Sequence, residues 1–333
     1  MTSHPTASSS LSEFSLIDRF FAGATHQGEH VTLGIGDDCA LLRPPTGEQL
    51  AISTDMLVEG RHFFADVDPR ALGHKTLAVN LSDLAAMGAR PLGFTLALAL
   101  PDSDPAWLGP FAQGLAELAD RYACPLVGGD TTRGPRNLCV TVIGSVPGAQ
   151  ALRRDAAQPG DDIWVSGTLG DARLALGALR GEWSLQESEL ALARRAMDWP
   201  EPQVMLGLAL RGVARSALDV SDGLIGDLGH ILERSSMSAQ IDVDALPRSD
   251  LLGRQSSDIQ RLCTLAGGDD YQLCFCVDAT HRRRIEAIGD ELGIRVTRIG
   301  TIALPDARRT MLHLHDNTGA SVAADFKSFD HFQ

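Results

Sequence analysis

Long apolar runs are missing from this chain. No stretch reaches the roughly 18 apolar residues of a membrane-spanning helix, and the polar opening MTSHPTASSS has no apolar core of a secretory signal. Those absences point to the cytoplasm and away from a membrane partner. Basic charge is also scarce. With 43 acidic and 29 basic side chains the formal charge is −14, and a nucleic-acid partner would need a basic stripe to meet its phosphates. Lysine is nearly absent: Lys75 and Lys327 are the two in the chain, and neither follows a glycine. A phosphate-binding G-x-x-x-x-G-K-S/T loop is therefore excluded. The cysteines (Cys39, Cys124, Cys139, Cys263, Cys274 and Cys276) form no C-x-x-C pair, which argues against zinc and disulfide frameworks and reads them as buried thiols. Without a G-x-S-x-G elbow, covalent hydrolysis has little support.

What is present is a globular composition, 44% hydrophobic and 22% charged. At about 150 residues per domain, 333 residues suggest two domains. Strand and helix signals alternate, so the fold class is α/β (α+β). Helices are expected over 70–88, 106–122 and 171–180. Strands are expected over 49–53, 94–100, 125–128, 138–146, 163–166, 217–220, 271–277 and 294–302. The turn-rich stretch 147–162 marks a boundary. It gives an N-terminal domain over 1–148 and a C-terminal α/β domain over 149–333.

Aspartates carry the chemical signal. They recur at the ends of apolar runs beside glycine or a hydroxyl residue: Gly36-Asp37-Asp38, Ser53-Thr54-Asp55, Ser82-Asp83, Gly129-Asp130-Thr131, Asp219-Val220-Ser221-Asp222 and Gly268-Asp269-Asp270. One such site is what a turn requires; six suggest a cluster. Two carboxylates about 4 Å apart repel by roughly 4 kcal/mol at an effective dielectric of 20. A converging set must therefore bind cations or protons. Oxygen donors without His or Cys select hard ions, with Mg²⁺ the first expectation, and neighbouring glycines admit phosphate oxygens to the backbone N–H groups. Calcium is the rival, but the run 219–230 has Leu224 where an EF-hand loop requires Gly and His230 where it requires Glu. His62, after Gly60-Arg61, and Arg154 are candidates for phosphate or substrate contact.

These segments together resemble the thiamine-monophosphate kinase family. The resemblance rests on GIGDDCALL from Gly34, AISTDMLVEGRHF from Ala51, KTLAVNLSDLAAMGA from Lys75, GGDTTRGP from Gly128, DVSDGLIGDLGHI from Asp219, GGDDYQLCF from Gly267 and FDHF from Phe329. It places the chain beside aminoimidazole ribonucleotide synthetase and selenophosphate synthetase. It implies a homodimer in which N-terminal sheets pair into a barrel, with the N-terminal domain binding ATP and Mg²⁺. The implied reaction is direct, in-line phosphorylation of thiamine monophosphate by ATP to give thiamine diphosphate.

By resemblance the metal ligands are Asp38, Ser53, Thr54, Asp55, Asp83, Asp130, Asp219 and Asp222. Of these, Asp38, Asp55, Asp83, Asp130 and Asp222 are expected to be indispensable to turnover. Nucleotide contacts fall on Gly129, Asp130, Arg154 and Ser221, and substrate contacts on His62, Asp269 and Phe329. Two departures concern the substrate side. Asp269 and Gln272 stand where the family usually has Glu, and Phe329 where Trp or Tyr is common. Another ATP-using synthetase of the superfamily, or a non-catalytic thiamine-phosphate binding module, is the alternative. A selenophosphate synthetase would need a reactive cysteine or selenocysteine near a glycine-rich N-terminal segment, and Cys39, inside GIGDDCALL, reads as buried.

Overall fold

The computed structural model describes residues 12–23, 28–305 and 311–323. The chain forms two compact units. One takes in the described residues up to Pro45 together with Ile52–Asn80 and Pro91–Ile143; the other takes in Thr46–Ala51, Leu81–Arg90 and the described residues from Gly144 onward.

In the first, α1 (Glu13–Phe20) precedes a short antiparallel pair, β1 (Val31–Leu33) and β2 (Leu41–Leu42). Then come β3 (Glu48–Val58), α2 (Pro69–Ala86), β4 (Arg90–Leu100), α3 (Pro105–Arg121), β5 (Leu126–Arg133) and β6 (Asn137–Pro147), of which Glu48–Ala51, Leu81–Ala86, Arg90 and Gly144–Pro147 belong to the second unit. Their four strands make one sheet in the order β3-β6-β4-β5. β4 and β5 run parallel, so they need a crossover, and α3 supplies it. That helix starts where the sequence demands. Asp104 accepts the Ala106 N–H at 2.9 Å, Pro105 opens the first turn, and Leu108, Phe111, Leu115 and Leu118 recur at helical spacing and are buried.

The second unit is built on a six-stranded mixed sheet, ordered β12-β9-β11-β7-β10-β8. Its elements are β7 (Asp162–Ser166), α4 (Asp171–Leu179), α5 (Glu187–Asp198), α6 (Val204–Ala209), β8 (Ala214–Asp219), α7 (Leu224–Ser235), β9 (Ser238–Asp242), α8 (Asp250–Gly253), α9 (Ser257–Ala266), β10 (Leu273–Val277), α10 (Arg282–Leu292), β11 (Val296–Ala303) and β12 (Leu312–His315). β12 lies parallel to β9, while β7, β10, β8, β11 and β9 pair antiparallel. β7 and β10 are buried along their whole length; β10 reads as an unbroken apolar run, and β7 has an apolar centre, Ile163-Trp164-Val165, between Asp162 and Ser166. Ile163, Val165, Leu218, Leu228, Ile231, Ile241 and Leu265 fill the core beneath α7 and α9. The architecture is thus mixed α/β in two units, as the sequence indicates. Among the described residues no helix is long and apolar enough to cross a membrane.

Three expectations change in detail. The helix expected over 70–88 is not two-faced, since residues 71 to 82 are buried all round. Its polar side chains are satisfied internally: Thr76 Oγ1 donates to the Leu72 carbonyl at 2.7 Å, and Asn80 Nδ2 to the Thr76 carbonyl at 3.0 Å. The strand expected to begin at Tyr271 begins at Leu273, because Tyr271 is left-handed at φ 51°. The run 219–230 forms no twelve-residue loop, as expected from Leu224 and His230, since α7 starts at Leu224. Cys39 is exposed and Cys139 half-buried, whereas the other four cysteines are buried. Two short strands on either side of Gly34–Ala40 are too small to cover that segment.

Candidate active site

Three of the acidic motifs lie in the first unit, and two of them occupy strand interiors. Ser53, Thr54 and Asp55 sit in the middle of β3, and Asp130 in the middle of β5. The expectation that the acids stand at strand ends therefore fails for both. Thr54 and Thr141 share a hydroxyl hydrogen bond of 2.9 Å, and the Asp55 N–H donates to Asn80 Oδ1 at 3.1 Å. The buried Asn80 thus holds the strand backbone at Asp55. The half-buried Cys139 thiol is pushed up by burial and then by the Asp55 charge, which places that carboxylate nearby.

Asp130 pairs with Ala97 across the parallel ladder and is exposed. Its neighbour Gly129 has φ 154°, and a Cβ there would stand 2.0 Å from the Leu96 carbonyl oxygen. Only glycine fits, so bare backbone precedes Asp130. Asp38 is exposed beside Gly36, at φ 124°, and its N–H donates to Asp37 Oδ1 at 2.9 Å. His62 accepts the Val58 N–H on Nδ1 at 3.0 Å. While the ring is neutral its proton is therefore on Nε2, which makes that nitrogen the donor.

In the second unit Ser82 Oγ donates to Asp219 Oδ2 at 2.7 Å, and both residues are buried. The next residue of the helix, Asp83, is half-buried. Asp219 ends β8, and Ser221 and Asp222 follow in a tight loop to α7. One oxygen organises that loop: Asp227 Oδ2 accepts the N–H groups of Ser221, Asp222 and Gly223, each at 3.0 Å. Burial pushes the Asp227 carboxyl up to about 7 against the pull of those donors. Sequence reading did not single out Asp227. The available signal was an acid in the first turn of a helix that opens on glycine.

The 267–272 segment is stitched to the same loop. The Asp269 N–H donates to the Ser221 carbonyl and the Tyr271 N–H to the Val220 carbonyl, both at 2.8 Å. Asp269 (φ 70°) and Tyr271 (φ 51°) both hold left-handed backbone, a strain that clusters at functional sites. Between them Asp270 accepts the Gly170 N–H with both oxygens, at 2.9 and 3.0 Å, and burial raises its carboxyl well above the usual range. Gln272 Oε1 accepts from Ser166 Oγ at 2.7 Å. Arg154 is exposed, and its carbonyl accepts from Ser235 Oγ at 2.9 Å. Phe329 lies outside the described residues.

Among the described residues, no three His, Cys, Asp or Glu side chains converge into a ready metal cage. The donors are nonetheless oxygen throughout. Magnesium is commonly held by one or two carboxylates plus substrate phosphates rather than by a cage of protein ligands. The donor chemistry fits that ion, with phosphate oxygens completing its shell.

The AIR synthase related protein N-terminal domain matches residues 36–146, and the C-terminal domain of the same name matches residues 158–306. A thiamine-monophosphate kinase from Salmonella typhimurium is 45% identical over 323 residues, covering 96% of this chain and 98% of the relative. A crystal structure of thiamine-monophosphate kinase from Stenotrophomonas maltophilia superposes with a TM-score of 0.84 at 46% identity, covering 94% of this chain and 98% of the other. The structure described as AaThiL complexed with AMPPCP and TMP superposes at 0.74 with 28% identity, covering 86% and 88%. Built on these two AIR synthase related domains and alike over nearly its full length, the chain belongs to the thiamine-monophosphate kinase family.

Proposed function

We propose that this protein transfers the γ-phosphoryl group of ATP to thiamine monophosphate, releasing ADP and thiamine diphosphate. The observation that carries the reading is 45% identity to a thiamine-monophosphate kinase across 98% of that enzyme. The co-occupancy of AaThiL by AMPPCP and TMP supports the same pair of substrates. The work belongs to thiamine diphosphate biosynthesis, and the location that goes with it is the cytoplasm.

The nucleophile is the substrate's own phosphate, charged about −1.5 to −2 at neutral pH. It needs no general base. The obstacle is repulsion between two polyanions. Asp38, Ser53, Thr54, Asp55, Asp83, Asp130, Asp219 and Asp222 would hold several Mg²⁺ ions, which when bound supply the countercharge. The rest of the task is positioning for in-line attack. Gly129 offers bare backbone next to Asp130, and Ser221 and Arg154 serve the nucleotide. His62 donates from Nε2 to the substrate, and Asp269 and Phe329 complete its contacts. Asp227 keeps Ser221 and Asp222 in place through the N–H bonds it accepts.

The same reading divides the chain at 148/149 and makes it a homodimer whose sheets close a barrel across the axis. Its support is β3, at the edge of the four-stranded sheet, where Leu50, Ile52 and Met56 are 49%, 64% and 51% exposed. Alternate residues of a strand share a face, and an exposed apolar edge is a liability until covered.

The test is ADP formation by purified protein with ATP and Mg²⁺, with and without thiamine monophosphate, the product being identified by mass. Thiamine diphosphate formed only with the monophosphate, and lost with EDTA, is expected. Untouched ATP would move the assignment to a sister synthetase. Sedimentation of the Ile52→Asp variant tests the dimer, which should dissociate.

A further inference from the structure

The strap between β6 and β7 carries Arg154 and lies outside both sheets. It is buried at Leu152 and Ala157 and exposed over residues 153–155 between them. Two arginines occupy that exposed span. Arg153 is engaged by Asp155 through two bonds, of 2.9 and 2.5 Å. Among the described residues the Arg154 guanidinium has no hydrogen-bond or ion-pair partner. The Arg154 backbone, by contrast, is held on both sides. Ser216 Oγ, buried in β8, donates to the Arg153 carbonyl at 2.6 Å, and Ser235 Oγ, at the end of α7, donates to the Arg154 carbonyl at 2.9 Å. Those carbonyls belong to the two planar peptides that flank the Arg154 Cα. Holding both planes sets φ and ψ of that residue, and with them the direction in which its side chain leaves the chain. The Ser235 hydroxyl also accepts the Ala157 N–H at 3.1 Å. Its one donor and a lone pair thus bridge residues 154 and 157 across a turn.

We propose that Ser216 and Ser235 are positioning residues for nucleotide recognition, which set the Arg154 guanidinium for the phosphates of ATP. The proposal rests on the reading of Arg154 as a nucleotide contact given above. The elements that supply the two serines give the arrangement its use. β8 ends at Asp219 and α7 starts at Leu224, so the same strand and helix carry the loop with Ser221 and Asp222. Strap and loop are thereby fastened to one frame, and Arg154 meets a nucleotide in a fixed relation to Ser221. A guanidinium recognises phosphate through directed, paired N–H bonds, so its origin on the backbone matters more than it would for a lysine. An arginine on a held backbone also has less freedom to lose on binding, which strengthens binding without any new contact.

The experiment is steady-state kinetics on the full chain, paired with calorimetry of ATP and Mg²⁺. Ser235→Ala should raise the KM for ATP about fivefold, with kcat and the KM for thiamine monophosphate within about twofold, and Ser235→Thr should recover most of the loss. A serine that merely stabilised the fold would lower Tm and spare that KM. Arg154→Ala should raise the same KM more than tenfold, and adding Ser235→Ala to it should change nothing further, because the serine acts through the arginine. An unchanged KM for ATP in both Ser235→Ala and Ser216→Ala overturns the proposal, and so does a serine effect of full size in the Arg154→Ala background. An Arg154→Ala variant with the wild-type KM for ATP overturns the reading of Arg154 itself, and the proposal with it. Should the wild type form no thiamine diphosphate, the kinase reading fails and calorimetry of the nucleotide decides. Weaker ATP binding with Ser235→Ala then sustains the proposal, and equal binding, or none by the wild type, overturns it.

Discussion

Replacing Asp227 by alanine removes a carboxylate of which one oxygen carries the contacts, and the structure sets the cost. Asp227 Oδ2 accepts three N–H groups at 3.0 Å, from Ser221, Asp222 and Gly223. A hydrogen bond to a charged group is worth about 1.5–3 kcal/mol. Three do not sum, because one oxygen has two lone pairs and the third donor must share. Burial also opposes the carboxylate, lifting it to about 7, so part of the gain is already offset. A net loss of about 3 kcal/mol follows, since water can reach some of the orphaned donors. At about 2–4 °C per kcal/mol for a unit of this size, Tm should fall by about 6–12 °C. Asp227→Asn keeps an acceptor without the charge, so its loss should be about half as large. The functional signature is separate. With Ser221 and Asp222 released, kcat at 25 °C, where the variant is still folded, should drop at least tenfold. Calorimetry and ADP release measure the two effects. A variant with lowered Tm and unchanged kcat would refute the positioning role, and one with both unchanged would refute the hydrogen-bond argument itself.

Asp55→Asn should leave the fold intact, with circular dichroism and Tm near wild type, and abolish turnover; retained activity would remove Asp55 from the metal set. Gly129→Ala should be strongly destabilising or insoluble, because φ 154° is foreign to an L-residue and the Cβ would stand 2.0 Å from the Leu96 carbonyl oxygen; a stable, active variant would contradict that geometry. Asp278 is held down to about 2 by the Thr280 hydroxyl and N–H and then by Arg215. Its contribution is therefore present above its ordinary value of 3.8 and lost as pH falls through about 2. Carboxyl chemical shifts of wild type and Asp278→Asn during acid titration check this, and a midpoint near 4 would contradict it. Cys39→Ala should retain full kinase activity; its loss would favour a sister synthetase with a working thiol, since the residue is exposed.

The chain's elements were legible wherever apolar spacing was strong. α3 follows Leu108, Phe111, Leu115 and Leu118 from an Asp104 cap, β10 is an apolar run, and β7 has an apolar centre. α2 was legible as a helix but not as one buried all round over residues 71–82, because Asn80, Ser82 and Thr76 look polar until their internal partners are known. β3 and β5 extend past the residues that look like strand ends, since the ladder continues through Asp55 and Asp130 although neither has the side chain a strand favours.

Aspartate is the deeper case, because one side chain serves three ends that a sequence writes identically. Asp227 and Asp270 spend their oxygens on backbone N–H groups. Asp162 spends its oxygens on Arg282 and Arg298, in a position fully closed to solvent. Asp38 and Asp130 stand exposed. The motif GGDDYQL shows why spacing alone cannot sort them: of two adjacent acids, Asp270 accepts the Gly170 N–H just before α4, and Asp269 is turned by a left-handed backbone. A carboxylate occupied by N–H donors has little left for a cation, whereas one at an exposed position is accessible to an incoming ligand. On that criterion Asp38 and Asp130 remain ligand candidates, and Asp227 and Asp270 become supports. Mutating the two kinds should therefore part cleanly, the first losing turnover at constant Tm and the second losing both.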